Sequence, residues 1–182
     1  MAPALGRSPA ATKTAADVWG AIVFTDIVGF TEFTALEGDE QALELLHTQE
    51  RLVNDALPTG ARVVKELGDG LLLWFPDVAG ALTTTLDLQA AFEDESATGL
   101  PLWVRMGVHC GRALVKGTDL VGHEVNVAAR ILDVAGPGEV LVSEQARVEV
   151  ADHGADIAFD EIGPVVMKGI PEPVRLWRAT RS

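Results

Sequence analysis

Two β-rich runs, Ala61 to Leu67 and Gly70 to Phe75, meet at Gly68-Asp69-Gly70, and this junction constrains the fold more than any other feature of the chain. Gly and Asp suit the tight backbone of a short turn, so the runs read as a hairpin with Asp69 at its tip. Upstream, Ala21-Ile22-Val23-Phe24 is apolar and ends in Thr25-Asp26, the pattern of a buried strand that delivers a carboxylate at its C-terminal end. Gly29-Phe30-Thr31 then turns the chain. From Asp39 to Leu57 the apolar residues Ala42, Leu45, Leu46, Leu52, Val53 and Ala56 recur at helical spacing, and Pro58 stops the helix. Downstream, a second helix is expected from about Asp77 to Glu93, followed by a strand from Leu102 to His109. The order β-α-β-β-α-β predicts an α+β fold with a ferredoxin-like core, its helices on one face of an antiparallel sheet. A C-terminal extension follows, with a helix from Gly122 to Ala135, a strand from Glu139 to Val142 and a last edge element through Trp177. Residues 1–17 lack an apolar period and read as a flexible leader or linker remnant, which leaves 18–182 as one domain.

Composition removes several function classes. A net charge of -13 over 182 residues repels phosphate backbones, so no nucleic-acid partner is expected, and a phosphate-bearing ligand needs local neutralisation. The apolar run Leu71 to Phe75 is far shorter than the about 20 residues of a spanning helix, so no membrane segment is expected. One cysteine, Cys110, gives neither an internal disulfide nor a Cys-type zinc site. With no secretory signal pattern, the expected location is cytoplasmic.

In a β-α-β-β core the first strand can neighbour the hairpin, which brings Asp26 toward Asp69. Oxygen ligands suit Mg²⁺ or Mn²⁺, and two such ions about 3.5–4 Å apart serve in-line displacement at phosphorus. Taken alone, an Asp beside Gly in a turn, as Asp69 is, reads more readily as a turn former. Commoner phosphate motifs are missing: the chain has no Gly-Lys dipeptide, hence no P-loop, and no G-x-G-x-x-G after a strand. Backbone N–H groups of the turn from Asp26 to Thr31 are the alternative cradle. Asn126 and Arg130, four apart on a helix, share one outlook. They suit either a solvated face or a site that orients a ribose and stabilises phosphoryl charge. The histidines His47, His109, His123 and His153 show no ligand spacing and receive no role.

Three segments resemble the class III nucleotidyl cyclases, and bacterial adenylate cyclases most of all. Phe24-Thr25-Asp26-Ile27-Val28-Gly29-Phe30-Thr31 resembles F-x-D-I-x-G-F-T. Lys65-Glu66-Leu67-Gly68-Asp69-Gly70 is similar to the K-x-x-G-D segment, and Asp119 through Arg130 to D-x-x-G-x-x-V-N-x-A-x-R. The resemblance implies that Asp26 and Asp69 hold two divalent ions, Mg²⁺ or Mn²⁺, with the Ile27 carbonyl as a further ligand. It implies that Lys65 and Asp119 read the base, and that Gly29, Phe30 and Thr31 belong to the substrate-binding turn. Asn126 and Arg130 would position the ribose and stabilise the transition state, and Lys168 falls near a family lysine that contacts the triphosphate. In the family, metal and transition-state residues come from different subunits, so one chain with all of them implies a homodimer with two composite sites. Where some relatives carry an Arg after Pro-Gly, this chain has Pro137-Gly138-Glu139. None of the family's usual sensor or membrane domains is read in this sequence, which fits either a catalytic domain cut out from a longer protein, its regulatory domain missing, or a naturally short enzyme.

The base follows from hydrogen-bond sense. Lys65 only donates and ionised Asp119 only accepts, which suits the N1 acceptor and N6 amino donor of adenine and opposes N1–H and O6 of guanine. The expected reaction is therefore that of an adenylate cyclase: ATP to 3′,5′-cyclic AMP and pyrophosphate. The alternatives are a guanylate cyclase and a non-catalytic nucleotide-sensing or dimerisation module.

Overall fold

A computed structural model describes residues 16–151 and 156–182. The elements run β1 (Asp17–Ile27), α1 (Phe30–Glu37), α2 (Asp39–Ala56), β2 (Arg62–Leu67), β3 (Gly70–Phe75), α3 (Val78–Thr98) and β4 (Val104–Lys116). They continue through β5 (Asp119–Val121), α4 (His123–Val134), β6 (Val140–Ser143), α5 (Glu144–Glu149), β7 (Ile157–Val165) and β8 (Val174–Arg181). The strands form one sheet in the order β2-β3-β1-β4-β6-β8-β7, with β5 paired to β4. Its first four strands each run antiparallel to their neighbours in the ferredoxin-like order, as the β-α-β-β-α-β pattern predicts.

Alternation along β1 divides the core. Ala21, Val23 and Ile27 face α2 and α3, packing with Leu45, Val53, Leu82 and Phe92. Ile22 and Phe24 face the other way, against Val125, Ala128 and Leu132 of α4. The two core helices, α2 and α3, therefore share one face as the pattern predicts, and α4 of the C-terminal extension covers the other. Gly107 permits this approach: a Cβ there would lie 2.5 Å from the Leu132 nitrogen. A strap between β7 and β8 then crosses α4, with Met167 and Ile170 packed on the cluster that contains Val127 and Ile131.

Several boundaries differ from expectation. Strand β1 begins at Asp17, and the Ala16 carbonyl accepts a bond from Val115 N (2.8 Å), so residues 16 and 17 belong to the sheet rather than to a leader. Residues 1–15 of that expected leader, and His153, lie outside the described residues. Gly29-Phe30-Thr31 is more than a turn: Gly29, at φ 74°, starts helix α1. Strand β4 runs on to Lys116 because its far half pairs with β5 and with the start of β1. Helix α3 reaches Thr98, one turn beyond Glu93. The tail forms two strands, and β7 rather than the Trp177 strand is the edge.

Candidate active site

Asp26, the penultimate residue of β1, lies opposite Gly70 of β3 and Arg105 of β4. Gly70 has to be glycine, since a Cβ would sit 2.4 Å from the Thr25 carbonyl. That close approach draws the hairpin tip onto the end of β1. The Asp69 carbonyl accepts from Ile27 N (3.3 Å) and from Nε2 of buried Gln49 on α2 (3.3 Å). The two carboxyl groups consequently meet. Burial, followed by the charge of Asp26 and a hydrogen bond to it, pushes the Asp69 carboxyl above its ordinary range. Arg105 offsets this in part: its Nε and Nη2 both donate to Oδ2 of Asp26, at 3.0 and 2.8 Å.

Among the described residues no three His, Cys, Asp or Glu side chains cluster as a closed metal cage. Two adjoining carboxylates that repel one another nevertheless fit a hard divalent ion of the Mg²⁺ type, which usually takes one or two carboxylates and completes its shell with water and phosphate oxygens. The Ile27 side chain is buried on the α2 side of the sheet, so only its main chain is available to such a site. The first turn of α1, which includes Phe30 and Thr31, has no side-chain cap and leaves N–H groups to meet an anion.

A second constellation pairs Lys65 with Asp119 across β2 and β5, Nζ to Oδ2 2.7 Å. The Lys65 hydrogen bond holds the Asp119 carboxyl below its usual range, keeping it an acceptor. In a third, a cleft of about 460 Å³ is lined by Asn126, Arg130, Asp133 and Lys168, with Phe24 and Leu67 on the β-sheet side. Arg130 donates to Asp133 (2.8 Å), whereas Lys168 pairs with no carboxylate among the described residues. Within the described chain no hydrogen bond or ion pair joins the acid pair to either of the other groups.

His109, given no role from sequence, is buried and bonded on both ring nitrogens. Nδ1 meets Ser143 Oγ at 2.7 Å, and Nε2 meets Glu124 at 2.6 Å. It ties α4 to β4 and β6. Glu139, at the position of the family arginine, is spent on the loop: it accepts from Gly136 N (2.8 Å) and Arg178 Nε (2.7 Å).

The model of the adenylate and guanylate cyclase catalytic domain matches residues 13–178. This chain belongs to that family. A pH-sensitive adenylate cyclase of Mycobacterium tuberculosis is 32% identical over 163 residues, covering 88% of this chain and 40% of the relative. A protein named putative adenylate cyclase 3 of Rhizobium meliloti is 35% identical over 164 residues, covering 86% and 27%. The chain thus spans less than half the length of these relatives. Among solved structures, the adenylyl cyclase CyaB of P. aeruginosa superposes with a TM-score of 0.81 at 23% identity, covering 92% of this chain and 96% of that one. The guanylyl cyclase Cya2 superposes at 0.73 and 19%, covering 92% and 95%. At such identities these likenesses establish the fold of the cyclase domain and leave its base preference to its own side chains.

Two residues of the cyclase domain's acidic end escaped the sequence reading. Arg105 carried a signal, being a permanent charge between the apolar Val104 and Met106, which needs a partner. Gln49 carried none, because one amide on an amphipathic helix looks like any polar position. No described helix of the domain is long and apolar enough to cross a membrane.

Proposed function

We propose that the domain is an adenylate cyclase that forms 3′,5′-cyclic AMP and pyrophosphate from ATP in the cytoplasm, at sites shared between two copies of the chain. The observation that carries the base assignment is the Lys65–Asp119 pair, which sets a donor and an acceptor side by side. Adenine offers the complementary N1 and N6 groups along one edge, whereas guanine meets both with the wrong sense.

The ribose 3′-oxygen attacks the α-phosphorus, the bond to the β-phosphate oxygen breaks, and pyrophosphate leaves. Asp26 and Asp69, with the Ile27 carbonyl, would hold two divalent ions, Mg²⁺ or Mn²⁺, which would supply acidity to the 3′-hydroxyl and charge to the triphosphate. Gly29, Phe30 and Thr31 offer the phosphates the N–H groups at the start of α1. Asn126 orients the ribose, and Arg130 turns from Asp133 to the charge growing on phosphorus, a role worth about 2.7–4 kcal/mol. Lys168 adds a cation from the strap. Among the described residues no side chain stands as a general base, so water or substrate takes the proton. Sharing between two chains is supported by the lack, within the described chain, of any hydrogen bond or ion pair between the acid pair and Asn126 or Arg130.

Incubation with ATP or GTP and each metal, followed by separation of products, tests the reading. Cyclic AMP with pyrophosphate, and slower turnover of GTP, is expected. Equal or faster cyclic GMP formation overturns the base assignment, and absence of both products overturns catalysis.

A further inference from the structure

We propose that Arg105 competes with divalent metal for Oδ2 of Asp26, so that ions using both oxygens of this carboxylate load only when the Arg105–Asp26 ion pair is released. The inference rests on the reading of Asp26 and Asp69 as metal ligands and concerns how that site is regulated.

The pair is fixed by the fold. Asp26 and Arg105 are directly opposed across β1 and β4. Their side chains are only 23% and 27% exposed, so the contact is partly shielded from solvent. Both N–H groups converge on one oxygen, Oδ2, at 3.0 and 2.8 Å, and the remaining Nη1 reaches the Ala135 carbonyl at the end of α4 at 3.5 Å. Two donors on one carboxylate oxygen occupy the lone-pair directions that a metal bond needs. An inner-sphere ion on Oδ2 therefore has to displace the guanidinium. A fixed positive charge beside the site also opposes a dication by simple Coulomb repulsion. Arg105 thus holds Asp26 in place through Oδ2, and it yields that oxygen when a stronger cation arrives. The Ala135 contact also links this exchange to α4, the helix that carries Asn126 and Arg130.

The test is Mn²⁺ binding to the full chain without nucleotide, read by electron paramagnetic resonance of free Mn²⁺, for the wild type, Arg105→Gln and Arg105→Lys. Arg105→Gln is expected to bind Mn²⁺ about tenfold more tightly, and Arg105→Lys to fall between. A parallel measurement needs no variant: the Arg105 Nε–H resonance should move as Mg²⁺ is added and saturate with metal binding. Unchanged or weaker Mn²⁺ binding in Arg105→Gln, or an Nε–H signal that stays still at saturating Mg²⁺, overturns the proposal. Failure of every form to bind Mn²⁺ overturns it together with the metal reading. If Arg105→Gln tightens Mn²⁺ binding in a protein that cyclises neither ATP nor GTP, the competition stands and the proposed reaction falls.

Discussion

The acidic end of the sheet and the cleft on α4 are built in opposite ways. At the acidic end, three strands fix the chemistry by main-chain register. Asp26 faces Gly70 and Arg105, and the tip that carries Asp69 is held by Ile27 N and Gln49. On α4, Asn126 and Arg130 project from one helix turn into an open cleft, and the Arg130 partner is Asp133 on that same helix. The first region carries its own counter-ion from a neighbouring strand; the second has only a local, exposed one. A set of groups preorganised on strands can hold ions by itself. A set presented on a helix surface needs something laid against it before its geometry matters.

The sharpest way to break this contrast is at the acids. Asp26→Ala or Asp69→Ala should lower cyclisation by about 10³-fold or more while near-ultraviolet dichroism stays native, because these carboxylates serve charge rather than packing. A folded variant with most of its activity would remove the two-ion assignment. Next comes the separation of the halves. Asn126→Ala should cost about 10²–10³ in turnover, yet mixing it with Asp26→Ala should restore about a quarter of wild-type activity. Random exchange makes half of the dimers mixed, and each mixed dimer has one of its two sites intact. A mixture that exchanges subunits and stays inactive would place both halves of a site in one chain.

The same contrast explains what was legible beforehand. Asp26 and Asp69 of one region, Asn126 and Arg130 of the other, and the separate Lys65–Asp119 pair sit in short segments whose order is readable, so they could be named as candidates from the chain alone. Their placement was less legible. The apolar stripe of α4 shows that Val125, Ala128 and Leu132 are covered, but not which face of the sheet covers them. Helix α1 was hidden because none of its residues is fully buried, and its start depends on the left-handed Gly29. Arg105 and Gln49 act through strand register and a backbone carbonyl; the charge of Arg105 calls for a partner without naming Asp26, 79 residues away, and Gln49 leaves no local pattern. His109 went unassigned for a related reason: its partners Glu124 and Ser143 are 15 and 34 residues away.

A smaller effect is expected at the base. Lys65→Glu combined with Asp119→Ser should cut the preference for ATP over GTP by about 10–100-fold in kcat/KM, less than the limit for a closed hydrogen-bonding pocket because the pair is solvent-accessible. Unchanged preference would mean that the base is read elsewhere. The metal-dependent loss at Asp26 should be absent in this variant, which separates base recognition from charge.

The smallest effects concern stability without added metal, and there the two regions should respond to pH with opposite signs. The Asp69 carboxyl is raised by burial and by Asp26, so the folded chain binds that proton more tightly than the unfolded chain. Its contribution is fullest below the ordinary Asp value of 3.8 and is lost as pH rises through the folded value. Asp69→Asn should therefore raise the neutral-pH melting temperature by about 1–3 °C even as it removes activity, and the gain should shrink in acid. His109 behaves in the reverse sense. Burial lowers it below its ordinary 6.5, outweighing the upward pull of Glu124, so the folded chain binds that proton less tightly. Stability should fall as pH drops below 6.5 toward the folded value, and His109→Gln should flatten that slope while lowering stability at neutral pH through the lost Ser143 and Glu124 bonds. Melting curves of the three proteins from pH 4 to 8 distinguish the cases. If Asp69→Asn gains nothing at neutral pH, Arg105 already neutralises the acid pair; if His109→Gln keeps the wild-type slope, the anchor of α4 titrates through another group.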